Sequence, residues 1–194
     1  MSSPEDDTRV TPVEELFTYH IFGVPDECQR LTADPAGYSL AVTGLVGETL
    51  ALSLDDLKGG FAEHSAEMIL QCMTNVHWGR ILVAGARLLD VVERAAPSEA
   101  AWKVALRGAD GFTSDLSLGE IRDNPEGFLL AYSMNGEPLE LEHGFPVRLA
   151  SDGRYGYKWP KWLVEVDLVD HDFKGHYEGR RGWSDKGIRG ERVT

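Results

Sequence analysis

Short strand patterns recur along this chain without a helix regularly between them, and that irregular order is what most constrains its fold. Tyr38-Ser-Leu-Ala-Val-Thr-Gly-Leu-Val alternates and runs to Gly47, as a half-buried strand does, and Glu48-Thr-Leu-Ala-Leu-Ser-Leu alternates after it. Ala66-Glu-Met-Ile-Leu-Gln-Cys, Trp102-Lys-Val-Ala-Leu-Arg, Phe128-Leu-Leu-Ala-Tyr-Ser-Met, Pro146-Val-Arg-Leu-Ala and Trp162-Leu-Val-Glu-Val-Asp-Leu-Val read as further strands. Helical signals are fewer. Ser53-Leu-Asp-Asp-Leu-Lys-Gly-Gly offers an N-cap, a turn or two and a glycine stop, and Ala86-Arg-Leu-Leu-Asp-Val-Val-Glu-Arg carries apolar residues at helical spacing before Pro97. From Asp170 onward the pattern dissolves into Gly, Arg and aromatics. Many short strands, few helices and no βαβ rhythm imply an α+β fold. No repeat or linker divides the 194 residues, so the expectation is a polar, flexible leader over 1–12 and a single domain over 13–194.

The formal net charge of −13 argues against general nucleic-acid binding, because nothing supplies net phosphate neutralisation. The charge is uneven, however: residues 148–194 hold ten of the 19 Lys and Arg. A locally basic end can hold an anionic ligand on an acidic protein, although Arg180, Arg181, Lys186, Arg189 and Arg192 could equally solvate a tail. No stretch approaches the roughly 18 apolar residues of a membrane span. Met-Ser-Ser-Pro-Glu-Asp-Asp lacks the basic and apolar regions of a signal peptide. The expected location is therefore cytoplasmic, or periplasmic if the chain is a trimmed form.

Only Cys28 and Cys72 are present, too few for a disulfide framework or a cysteine-rich zinc site. Cys28 lies in the acidic stretch Asp26-Glu27-Cys28 and reads as an incidental loop residue. Cys72 ends an apolar strand and is followed by Thr74, Asn75 and His77, so it is either an inert core thiol or a thiolate for a nucleophilic or soft-metal role. The six histidines form no helical i, i+4 pair, which leaves a zinc hydrolase unsupported, and there is no nucleophile elbow or phosphate loop. The most informative run is Leu129-Leu-Ala-Tyr-Ser-Met-Asn-Gly-Glu-Pro-Leu-Glu-Leu-Glu-His-Gly-Phe-Pro-Val-Arg-Leu. Asn135-Gly136 is a strong turn signal, and His143-Gly-Phe-Pro then delivers Arg148 onto a new strand. Tyr155-Gly-Tyr-Lys-Trp-Pro-Lys-Trp adds two lysines among four aromatics. These cations could converge on a phosphate, or the segment could be packed surface.

With these runs in view the chain resembles the molybdopterin-binding oxidoreductases of the sulfite oxidase fold, which include sulfite oxidase and the catalytic subunit of periplasmic methionine sulfoxide reductase. The resemblance extends from about Thr11 to Trp183 and is carried by Thr11-Pro12 to Phe17, Val24-Pro25, the 38–46 run, Leu52-Ser-Leu-Asp-Asp-Leu, Leu70-Gln-Cys and the two runs just described. It implies a molybdenum-molybdopterin cofactor, with Cys72 matching the metal's thiolate ligand. His143 and Arg148 match pterin-holding residues, and Trp159, Pro160 and Lys161 match the segment at its phosphate end. Asp110 lies near another cofactor contact, and Phe17-Thr-Tyr-His-Ile matches an N-terminal cofactor-binding run containing Phe17.

The departures concern the substrate. Sulfite oxidases carry arginines at the places of Tyr19 and His77, and a tyrosine at the place of Phe173. Loss of two cations disfavours a small dianion. Val83 replaces a tryptophan, and Trp78-Gly79-Arg80 departs from the family pattern. The resemblance thus implies two-electron oxygen-atom transfer on a small molecule other than sulfite. Tyr19, His20 and His77 would face the open metal position, and His77 would deliver protons because histidine ordinarily titrates near neutrality. No haem or immunoglobulin-like domain follows, so a separate electron-transfer partner or soluble acceptor is expected. The alternative is a non-catalytic domain that kept the fold and lost the cofactor or turnover.

Overall fold

The structure, a computed structural model that describes Pro4 and residues 7–194, builds two five-stranded sheets flanked by short helices. In chain order these elements are α1 (Asp26–Leu31), β1 (Leu40–Gly44), β2 (Leu50–Leu52), α2 (Leu54–Gly60), β3 (Glu63–Gln71), β4 (Trp78–Arg87) and α3 (Leu88–Arg94). There follow β5 (Lys103–Gly108), β6 (Thr113–Ser117), α4 (Leu118–Asp123), β7 (Phe128–Met134), β8 (Glu137–Pro138), β9 (Arg148–Ser151), β10 (Leu163–Val169) and α5 (His176–Arg181). The first sheet runs β2-β1-β10-β5-β6, with β1 parallel to β10 and the other pairs antiparallel. The second is antiparallel, β3-β4-β7-β8, with β9 also paired to β7. The fold class is α+β, as the irregular strand order implied.

β7 explains why its sequence is almost continuously apolar. Phe128, Leu130 and Tyr132 face one core, shared with α3, α4 and the first sheet, while Leu129 and Ala131 face a second core with Met68, Leu70, Ile81 and Val83. A strand buried on both faces needs no polar alternation. Two of the helices, α2 and α4, start on capping boxes. The Ser53 hydroxyl accepts from Asp56 N at 3.1 Å while Asp56 accepts from Ser53 N at 2.9 Å, and Ser117 and Glu120 repeat the exchange at α4.

Several segments differ from the sequence reading. Ala86 and Arg87 complete β4, and the helix begins only at Leu88. β4 itself was not visible as a strand because two of its inward positions are Gly79 and Gly85, which erase the apolar alternation. A Cβ at Gly79 would lie 2.2 Å from Leu16 Cδ2, and one at Gly85 would lie 2.1 Å from Leu130 O, where the β4–β7 register shifts. Both glycines are close-approach positions. Cys28 is not in a loop but on α1, where burial pushes its thiol up to about 12 and leaves it chemically quiet. Of the expected leader, residues 1–3 and 5–6 lie outside the described residues. Thr11 is buried against β4, donating to Arg80 O at 2.7 Å and accepting from Arg80 N at 3.1 Å. Among the described residues no helix is long and apolar enough to cross a membrane.

Candidate functional site

Four connections bring their polar residues to one cleft of about 790 Å³, counted to its open mouth. Cys72 follows the last residue of β3, and Asp110 sits in the β5–β6 turn. His143 comes from the β8–β9 connection and Arg148 opens β9, and Trp159, Pro160 and Lys161 precede β10. Phe17 and Tyr19, from the N-terminal segment, close one side.

The cationic end is built around a glycine. Gly144 has φ +104°, and a Cβ there would lie 3.1 Å from both Arg148 Cβ and Lys161 Cβ. Only a residue without a side chain lets these two chains approach each other so closely. Arg148 is 3% exposed, and its guanidinium donates to His143 O at 3.0 Å, Trp159 O at 3.1 Å and Leu149 O at 3.4 Å. Burial lowers it to about 10, with no carboxylate paired to it among the described residues. Lys161 Nζ donates to Glu142 O at 2.8 Å. Burial, with Arg148 nearby, pulls Lys161 down to about 7, against the opposing pull of Asp110 and Glu142. His143 is drawn down to about 4 by burial and the charges of Arg148 and Lys161. Burial raises the Asp110 carboxyl, although Phe112 N–H donates to it at 3.0 Å and Lys161 attracts it.

The other end holds Cys72 with Tyr19, while His77, expected to face the same position, is exposed behind Tyr19 and does not line the cleft. Tyr19 Oη and His77 Nδ1 share a hydrogen bond at 3.1 Å, and His77 O accepts from Cys72 N at 2.8 Å. Thr74 Oγ1 lies 3.3 Å from Cys72 Sγ. His20 is placed elsewhere. Its Nε2 meets Glu142 O at 3.1 Å, the same carbonyl that Lys161 uses, and its ring packs on Trp162 at 5.5 Å. Phe173 does not line the cleft; its ring lies under Arg107, so its substitution carries no argument about this site.

The sequence reading missed the wall opposite. Tyr177 on α5 and Trp183 stack with centroids 4.0 Å apart and planes 5° from parallel, and both line the cleft together with Met73 and Phe112. The only signal was the aromatic content of the Gly/Arg-rich end. Lys158 is not part of the cleft. It is fully buried between Asp115 (3.2 Å) and Glu178 (2.7 Å), and Lys103 binds the other Asp115 oxygen at 2.8 Å. That buried network fixes α5, and with it Tyr177, to the first sheet.

A profile described as the oxidoreductase molybdopterin-binding domain matches residues 27–177. The uncharacterized oxidoreductase YuiH of Bacillus subtilis (strain 168) is 35% identical over 156 residues, covering 79% of this chain and 76% of that protein. Human mitochondrial sulfite oxidase is 33% identical over 198 residues, covering 88% of this chain but only 35% of that protein. Among solved structures, the sulfane dehydrogenase SoxCD from Paracoccus pantotrophus shares the fold with a TM-score of 0.77 at 20% identity, over 94% of this chain and 50% of that one.

Proposed function

The chain belongs to the oxidoreductase molybdopterin-binding domain family, and on that premise we propose that it is a molybdopterin-dependent oxidoreductase with its cofactor in the Cys72 cleft. The observation that carries this reading is Arg148, a buried cation whose hydrogen-bond partners among the described residues are neutral carbonyls and which lines the same cleft as Lys161 and Cys72. A buried charge without a counter-charge is costly, and an anionic ligand would offset it.

The residues present fit such a group. Arg148 offers a rigid fork and Lys161 a point charge to a phosphate. Trp159 and Pro160 form the adjoining wall, and Phe17 lies across the cleft. His143, held neutral, can hydrogen-bond the ligand without adding a third cation. Cys72 offers one soft thiolate. Among the described residues no three of His, Cys, Asp and Glu converge as a ligand set, so a metal at Cys72 would take its remaining ligands from the cofactor. When bound, the molybdenum centre supplies two-electron oxygen-atom transfer. Tyr19 lines the cleft and shares a hydrogen bond between its Oη and His77 Nδ1, which supports His77 as a proton-handling group acting through Tyr19. Neither Tyr19 nor His77 offers the guanidinium fork that a small dianion would use, and this supports a neutral oxygen-atom donor or acceptor over sulfite. Reducing equivalents would come from or go to a separate electron-transfer partner.

The experiment is elemental analysis of wild type and Cys72→Ser, both produced in a molybdenum-replete host that loads a control enzyme. Near-stoichiometric molybdenum in wild type, lost or differently ligated in Cys72→Ser, is the expected result. Absence of both metal and pterin from wild type would overturn the reading in favour of a non-catalytic domain.

A further inference from the structure

We infer that Thr74 is a positioning residue that tunes the Cys72 sulfur by donating a hydrogen bond to it; this rests on the reading of Cys72 as the metal's ligand. Cys72-Met73-Thr74-Asn75 forms a tight turn in which Asn75 N donates to Cys72 O at 3.0 Å, while Cys72 N donates to His77 O at 2.8 Å. Asn75 adopts φ +59°, a left-handed conformation that asparagine tolerates better than most residues. Its side chain is held in turn. Gln71 Nε2 donates to Asn75 Oδ1 at 2.8 Å, and Arg189 Nη1, from the C-terminal segment, donates to Gln71 Oε1 at 3.2 Å. The turn is therefore braced from both sides before any ligand arrives.

Within this braced turn Thr74 Oγ1 is 3.3 Å from Cys72 Sγ, a hydrogen-bonding distance for sulfur. A free thiol could in principle donate in the opposite direction. A thiolate bound to a metal has no proton to give, so in the loaded protein the hydroxyl must be the donor. The β-branched side chain restricts χ1, which limits the other orientations the hydroxyl can take. A hydrogen bond to a ligating sulfur withdraws electron density from it, weakens its donation to the metal and favours the reduced state.

The test compares wild type, Thr74→Val and Thr74→Ser, all produced in the molybdenum-replete host. The readouts are metal content, the energy of the thiolate-to-metal absorption band and the midpoint potential of the metal. Valine keeps the branched shape and removes the donor. The expected result is unchanged molybdenum content in Thr74→Val, with the band moved to lower energy and the potential moved in the negative direction. Thr74→Ser should lie close to wild type in both. An unchanged band and potential in a fully loaded Thr74→Val would overturn the inference while leaving the cofactor reading intact. Loss of molybdenum from Thr74→Val would make the hydroxyl a structural requirement of the turn, and would also overturn it. A wild type without molybdenum would remove both readings together.

Discussion

Arg148 donates its Nη2 hydrogen to the main-chain carbonyl of Trp159 at 3.1 Å, so that a full positive charge is buried against a neutral dipole. The arrangement orients the guanidinium without neutralising it. Charge complementarity is left to whatever enters the cleft.

An anion that enters should therefore stabilise the fold. Sulfate, whose charge is constant over the accessible pH range, should raise the Tm of the cofactor-free protein in a concentration-dependent way. Arg148→Met should weaken that effect, since a hydrogen-bonded charge contributes about 1.5–3 kcal/mol, equivalent to roughly tenfold or more in affinity. Equal sulfate responses in the two proteins would mean that the anion binds elsewhere.

Lys161 predicts how that affinity depends on pH. Its folded value of about 7 lies below the ordinary 10.5 because burial and Arg148 disfavour the charged form. Sulfate selects the protonated lysine, so its binding should take up a proton, and affinity should fall as pH rises above about 7. In the absence of ligand the unfolded chain binds the extra proton between about 7 and 10.5, so this lysine makes stability rise with pH across that window. Lys161→Met should abolish both slopes, measured by calorimetry in buffers of different ionisation heat and by urea melts.

His143 acts in a lower window. Its folded value of about 4 lies below the ordinary 6.5, so the unfolded chain binds more protons between those limits. Stability should fall as pH drops from 6.5 towards 4, by up to about 3 kcal/mol for a displacement of this size. Urea melts of His143→Gln should show a shallower fall over the same range, and an unaltered slope would assign the acid lability to other groups.

Much of this was legible in the sequence, for reasons that differ from residue to residue. β3, β7 and β10 are visible because their apolar side chains pack into cores on a regular period. β4 is hidden because Gly79 and Gly85 stand where apolar side chains would mark its inner face. β6 is hidden because its centre, Ser114-Asp115, is polar and fully buried, held by Lys103 and Lys158 from two distant segments. No local pattern encodes such a network. In the site, Cys72, His143, Arg148 and Lys161 were found through their flanking motifs, and they come together in one cleft. Tyr177 and Trp183 were not found, because their stack forms across a short helix whose signal is weakened by Gly179 inside it and Gly182 at its end. His20 shares a motif with Tyr19 yet packs on Trp162, with its Nε2 on Glu142 O.

Gly144 ties stability to ligand binding at a single position. Alanine there would need a left-handed backbone and a Cβ 3.1 Å from both Arg148 Cβ and Lys161 Cβ. Gly144→Ala should cost about 1–3 kcal/mol in urea melts. It should also weaken sulfate binding by pushing the two cations apart. A variant that loses stability but keeps wild-type sulfate affinity would show that the cations move together when the turn is strained.

The buried Lys158 network makes the largest stability prediction. Lys158→Met would leave Asp115 with Lys103 at 2.8 Å and the Gly175 N–H at 3.1 Å. Glu178 would keep no cation. Its Oε2 already has no hydrogen-bond partner among the described residues, and burial already raises its carboxyl against the opposing pull of Lys158. Removing one member of such a pair typically costs about 3–5 kcal/mol, whereas removing both can be close to neutral. Lys158→Met should therefore lower the urea midpoint sharply, and Lys158→Met combined with Glu178→Leu should recover most of the loss. If the double variant is as unstable as the single one, the lysine's value lies in its bond to Asp115, and α5 is held in place by the packing of Tyr177 and Trp183 on Tyr157 instead.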